Sequence, residues 1–112
     1  MSIRLEKSWR VLNETEVSRL GGELGVYQLA DEQGHVIRIG YAGGRSLFGL
    51  RGELKNELAR QPGAQRRFRF EITSQYMSRY EELLMIHKAD HGDLPEENIA
   101  DRGRRIGRIH PA

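Results

Sequence analysis

Between Gly25 and Tyr41 two strand-length patterns stand either side of a four-residue polar turn, and no other stretch limits the fold of this chain so tightly. Gly25-Val26-Tyr27-Gln28-Leu29-Ala30 favours a pleated sheet, Asp31-Glu32-Gln33-Gly34 carries turn chemistry, and His35 to Tyr41 resumes the strand pattern through Val36, Ile37 and Ile39. A connection this short places the two strands side by side and antiparallel. A third strand is predicted over Arg66 to Thr73, where Phe68, Phe70 and Ile72 alternate with Arg67, Arg69 and Glu71. Helical patterns fill the spaces between. Asn13-Glu14-Thr15-Glu16 has the form of a capping box, opening a short helix that Gly21-Gly22 ends. Leu47, Leu50, Leu54 and Leu58 recur at helical spacing over 46–60, and Tyr76, Tyr80, Leu83, Leu84 and His87 over 75–89. The sum is an α+β domain with a small three-stranded antiparallel sheet flanked by helices. Ser2 to Val11 is mixed, with a short leading strand as one reading.

At 112 residues the chain suits one domain with one modest core. No apolar run approaches the length of a membrane span, and the first ten residues lack the apolar centre of a secretory signal. Cysteine is absent, which excludes disulfides and thiolate metal sites. A cytoplasmic location is the expectation. The net charge of +2 is too small to indicate a nucleic-acid partner by itself. Its kind says more: of 18 basic side chains only Lys7, Lys55 and Lys88 are lysines, and arginine's planar fork suits phosphate. A GC-rich coding sequence produces the same bias, and the two readings carry about equal weight.

Arg51 stands out on physical grounds. It lies between Leu47 and Leu54 on the expected apolar stripe, where a guanidinium must find an anion. That anion is either a structural carboxylate or a phosphate reached from the floor of a cleft.

With the hairpin, Arg51 brings a family into view. Gly25-Val26-Tyr27, followed by a turn and then Val36-Ile37-Arg38-Ile39-Gly40, resembles the core of the GIY-YIG nucleases. Arg51 in Leu50-Arg51-Gly52-Glu53-Leu54 matches the family's arginine. Glu82, with Ile86 four positions on, matches its metal-binding glutamate, and Pro95 with Asn98 matches its closing pair. The resemblance covers roughly residues 25–98. It divides the chain into a leading segment over 1–24, the nuclease-like core over 25–98 and a basic tail over 99–112. Two departures stand out. Arg38 replaces the first tyrosine of the second motif, and Tyr41 takes the place after its glycine, where relatives often carry lysine.

The resemblance implies a metal-dependent endonuclease that hydrolyses phosphodiesters in nucleic acid, DNA sooner than RNA. Its alternatives are a binding module that has lost cleavage, or a protein-interaction domain. In the hydrolytic version Glu82 holds Mg2+ or Mn2+, Arg51 neutralises charge developing at phosphorus, and a tyrosine takes the proton from water. Tyr27, its pKa lowered by Arg38 or the metal, is the first candidate for that base and Tyr41 the substitute. Arg38, Arg45, Lys55 and Asn98 are the positions expected to meet nucleic acid. Glu81 stays a rival to Glu82, because on the helical wheel it lies nearer Tyr76, Tyr80 and Leu84. Arg66, Arg67, Arg69 and the tail arginines Arg102, Arg104, Arg105 and Arg108 could track a phosphate backbone.

Overall fold

A computed structural model of the chain describes residues 4–101. The elements are β1 (Arg10–Val11), α1 (Glu14–Ser18), β2 (Gly25–Ala30), β3 (Val36–Ala42), α2 (Gly49–Arg60), β4 (Arg67–Ile72) and α3 (Tyr76–His91). Residues 96–101 are also helical. The sheet has four strands where the sequence pattern predicts three, in the order β1-β4-β2-β3 with every pairing antiparallel. The extra strand is β1, two residues that pair Arg10 with Phe68 and Val11 with Arg67. Both are exposed, so no inward-facing alternation marked them in the sequence. The basic tail expected over 99–112 lies outside the described residues from 102 onward. No helix among the described residues is long and apolar enough to cross a membrane.

The central hairpin takes its turn from Asp31, whose carboxylate Oδ1 accepts from the backbone N–H of Gln33 and of His35 at 3.0 and 2.9 Å. Gly34 supplies the positive φ of 88° that closes it. Register then opposes Tyr27 to Gly40 and Leu29 to Arg38 on one face, Val26 to Tyr41 and Gln28 to Ile39 on the other. Each face carries its own core. α1 and α2 cover Tyr27, Leu29, Ile37 and Phe68 with Val17, Leu20, Leu50 and Leu54. On the other face Leu5, and Leu83 of α3, pack with Val26 and Ile39, and Tyr41, Tyr76, Tyr80 and Leu84 pack against that cluster. Each fully buried aliphatic or aromatic side chain contributes about 1.5–3 kcal/mol. The leading segment is thus no mere approach to the domain, since Leu5, Leu12, Val17 and Leu20 are core residues. Asn13 caps α1 as the sequence implies, its Oδ1 accepting from Glu16 N–H at 2.8 Å.

α2 starts later than the leucine spacing suggests. Phe48, at its N-terminus, is left-handed with φ 62°, and Gly49 follows at φ 56°. The left-handed conformation costs a residue bearing a Cβ about 1–2 kcal/mol. Leu47 is therefore outside the helix and 79% exposed, and Phe48 is 69% exposed. Gly52 allows the segment to fold back, because a Cβ there would run into the Leu47 carbonyl. With the helix beginning at Gly49, the stripe facing the sheet is Leu50, Leu54 and Glu57, and Arg51 falls beside it, half-buried.

β3 is an edge strand, and one side chain clasps it. Asn98 is buried, its Oδ1 accepting from Ile39 N–H at 2.8 Å and its Nδ2 donating to the Ile39 carbonyl at 2.9 Å. The side-chain amide thus acts as one residue of a further strand. Asn98→Ala would leave both backbone groups buried and unpaired, at about 1–3 kcal/mol each. The expected outcome is a loss of about 2–6 kcal/mol in urea denaturation. A loss below about 0.5 kcal/mol would mean that water replaces the clasp.

Candidate functional site

An open groove of about 840 Å³ runs around the β3 edge, from Tyr27, Arg38 and Glu53 on the α2 side to Tyr41, Tyr76, Met77 and Tyr80 on the α3 side. Gly43, Gly44, Arg45 and Ser46 line its rim, and Asn98 and Asp101 close one end. Gly40 lies on its floor, against the Tyr27 ring. A Cβ there would overlap the Tyr27 ring, so the register that opposes Tyr27 to Gly40 lets the tyrosine lie flat across the strand.

The α2 side is a buried charge network. Glu57 is 2% exposed, and its Oε2 accepts from the Tyr27 hydroxyl at 2.6 Å and lies 3.4 Å from Arg38 Nε. Arg38 also donates from Nε to Glu97 at 3.0 Å and from Nη1 to Asp101. Arg66, buried, donates to the Glu57 backbone carbonyl at 2.5 Å, and Arg60 approaches Asp101 at 3.5 Å. Glu57 Oε1 and Arg66 Nε and Nη1 have no hydrogen-bond partner among the described residues. Burial pulls the Arg38 pKa down, but the hydrogen bond to Asp101 and the charges of Glu57 and Asp101 carry it above its ordinary value. Its charge is fixed and locally matched.

For Tyr27 the balance runs opposite to the sequence expectation. Burial raises its pKa most, the charge and hydrogen bond of Glu57 raise it further, and Glu53 adds to them. Arg38 lowers it, as expected of a cation, but the other effects prevail and the pKa stands well above 10. A hydroxyl that donates to a buried carboxylate holds its proton and is a poor base.

The α3 side is aromatic. Tyr41 stacks on Tyr76 with centroids 5.7 Å apart and meets Tyr80 edge-on at 4.9 Å. The Tyr76 hydroxyl accepts from Gly44 N–H at 3.1 Å, and Gly43 leaves room for the Tyr76 ring. Ser46 accepts from Gly43 N–H at 3.0 Å and donates to Glu53 Oε2 at 2.6 Å, tying the rim to α2. Arg45 is exposed on that rim and pairs with no carboxylate among the described residues.

Of the positions singled out in the sequence, the groove gathers Tyr27, Arg38, Tyr41, Arg45 and Asn98. Arg51, Lys55 and Glu82 are not among its lining residues. Both Arg51 and Lys55 lie on α2, Arg51 half-buried and Lys55 exposed. Arg66 and Arg69, read as phosphate trackers, are used inside the fold: Arg69 donates to Gln28 Oε1 at 2.7 Å and lies 4.1 Å over the Trp9 ring. Sequence reasoning missed Glu53, Glu57, Glu97 and Asp101. The available signal was Glu57, which falls on the apolar stripe once α2 is started at Gly49.

A divalent cation fits poorly with the side chains as they stand. Arg79 donates to Glu82 from Nη1 and to Glu71 Oε2 from Nε at 3.0 Å, so the Glu82 carboxylate already has a cationic partner. Glu81 is exposed. Magnesium needs only one or two carboxylates, but here it would have to displace a guanidinium held by two. Among the described residues no three His, Asp or Glu side chains gather as a metal-binding group.

A family model described as a domain of unknown function (DUF7508) matches residues 3–90, spanning the whole sheet and most of α3. No curated protein and no solved structure matches the chain.

The Tyr27–Glu57 bond gives stability a pH signature. Because the folded-state pKa is raised, the stability this group contributes is present in full below about pH 10. It is lost as the pH climbs from there through the folded-state value. Tyr27→Phe should cost about 1–3 kcal/mol near neutrality and flatten the alkaline decline, read by urea denaturation at stepped pH with tyrosinate absorbance alongside. An unchanged alkaline slope in the variant would show that another group sets it.

Proposed function

The chain belongs to the DUF7508 family, and from its groove we propose a nucleic-acid-binding module, built on a GIY-YIG-like frame, that engages DNA without cutting it. The observation that carries this reading is the division of the groove. One wall offers Tyr41, Tyr76 and Tyr80 with the unpaired Arg45 at the rim. On the other wall Tyr27, the first candidate base, and Arg38, the cation expected to lower its pKa, are committed to Glu57, Glu97 and Asp101. Aromatic faces stack on bases, and an unpaired guanidinium exchanges counterions for phosphate. Arg45 on the rim and Arg51 and Lys55 on α2 have no carboxylate partner among the described residues.

A second reading, metal-dependent phosphodiester hydrolysis, is favoured by one observation. The hairpin register that seats Tyr27 over Gly40 is the juxtaposition the motif order implies. In that reading Tyr41, on the groove wall, is the better placed base, and Glu82 must first leave Arg79.

Fluorescence anisotropy with a labelled DNA oligonucleotide, titrated across salt, tests the first reading. Binding should weaken steeply with salt, and Arg45→Ala and Lys55→Ala should each lower the log–log salt slope by about 1. Salt-independent binding, or none, would refute it. Plasmid nicking in magnesium or manganese, abolished by Glu82→Gln and Tyr41→Phe, would replace it with the second.

A further inference from the structure

The loop that begins as the groove rim ends in a feature the binding reading does not use. Leu47 and Phe48 project side by side into solvent, two of the most exposed large apolar side chains of the described residues. Their exposure is not slack in the chain. Phe48 holds a left-handed backbone, Gly49 a second positive φ, and Gly52 is the floor on which Leu47 and Phe48 fold back. Beneath them Leu50 N–H donates to the Glu23 carbonyl at 2.9 Å and Arg51 N–H to the Gly21 carbonyl at 3.2 Å, fastening the helix start to the α1–β2 connection. A strained backbone that presents a ring to water gains nothing from burial, and such strain persists where surrounding structure enforces it.

The charges around the tip say what it meets. Arg45 precedes it in the chain, and Arg51 and Lys55, four residues apart on one side of α2, follow it. None of the three pairs with a carboxylate among the described residues. The acids close by are Glu53, engaged by Ser46, and Glu23, beside Gly21. An exposed apolar pair flanked in the chain by cations fits a polyanion with an apolar interior, and stacked bases between two phosphate strands are that.

We propose that Leu47 and Phe48 form a wedge that inserts at a base step of DNA while Arg45, Arg51 and Lys55 hold the flanking phosphates. The proposal rests on the nucleic-acid reading and adds its mode. Insertion unstacks the step, so flexible pyrimidine–purine steps are the favoured sites. Cations set the salt dependence, whereas the wedge sets affinity at fixed salt.

The test uses the full chain and a DNA duplex with 2-aminopurine beside a TA step. Wild-type protein should raise the 2-aminopurine fluorescence on binding. Phe48→Ala should bind about tenfold more weakly with an unchanged salt slope and no fluorescence rise. Phe48→Gly removes the ring and the backbone strain together, so it should lose binding equally while melting no lower than wild type. Phe48→Trp should retain the signal. Salt-sensitive binding with no fluorescence rise, or with Phe48→Ala equal to wild type, would overturn the wedge and leave the binding reading intact. Absence of any binding would overturn both. Phe48-dependent binding to anionic phospholipid vesicles, with DNA affinity untouched by Phe48→Ala, would assign the tip to a membrane surface instead.

Discussion

Arg38 is the charge around which this domain closes. It stands on an edge strand with its guanidinium buried, and an unpaired cation there would oppose folding by several kcal/mol. Three carboxylates resolve the problem, each from outside the sheet: Glu57 from α2, Glu97 and Asp101 from the helical residues 96–101. Satisfying one side chain therefore fixes the position of two helical segments against β3. Arg66 and Arg60 extend the network, drawing in the strand and helix ends on either side of the α2–β4 turn. The same carboxylate that meets Arg38 receives the Tyr27 hydroxyl, so the state of the groove wall follows from this one ion cluster.

The functional reading grows from that coupling. With an arginine at position 38, a glutamate can be buried at position 57, and Tyr27 becomes a donor to it. The α2 wall is then electrostatically closed on itself. The opposite wall has no such closure: its tyrosines pack on one another through their rings, and its rim cation faces water. In the proposed reading, a ligand that presents flat apolar faces and anionic groups together makes its contacts on that side.

Much of the fold was legible because it rests on local chemistry. The Asp31 turn, the Asn13 cap and the alternation of Phe68 and Phe70 are each decided within a few residues, and each stands where the pattern puts it. β1 was less legible, since an exposed two-residue strand leaves no periodicity. The error at α2 had one source: Leu47 sits at helical spacing yet belongs to a left-handed tip, which shifted the assumed stripe from Glu57 toward Arg51. The site was legible only in part for a related reason. Tyr27, Arg38, Tyr41 and Asn98 could be picked out by motif, but Glu57, Glu97 and Asp101 acquire meaning only through contacts far apart in the chain. Spacing also says nothing of Arg79, whose side chain engages Glu82.

The Asn98 clasp has a consequence beyond holding one strand. An open antiparallel sheet normally offers two borders at which another chain can add hydrogen bonds. Here the β3 border has its central amide and carbonyl occupied by Asn98, and on the opposite border β1 pairs with only Arg67 and Phe68 of β4. An incoming strand on the β3 side would have to displace the Asn98 amide before it could run the length of the strand. Strand addition is thus obstructed at the middle of β3, while β4 beyond Phe68 keeps an open border.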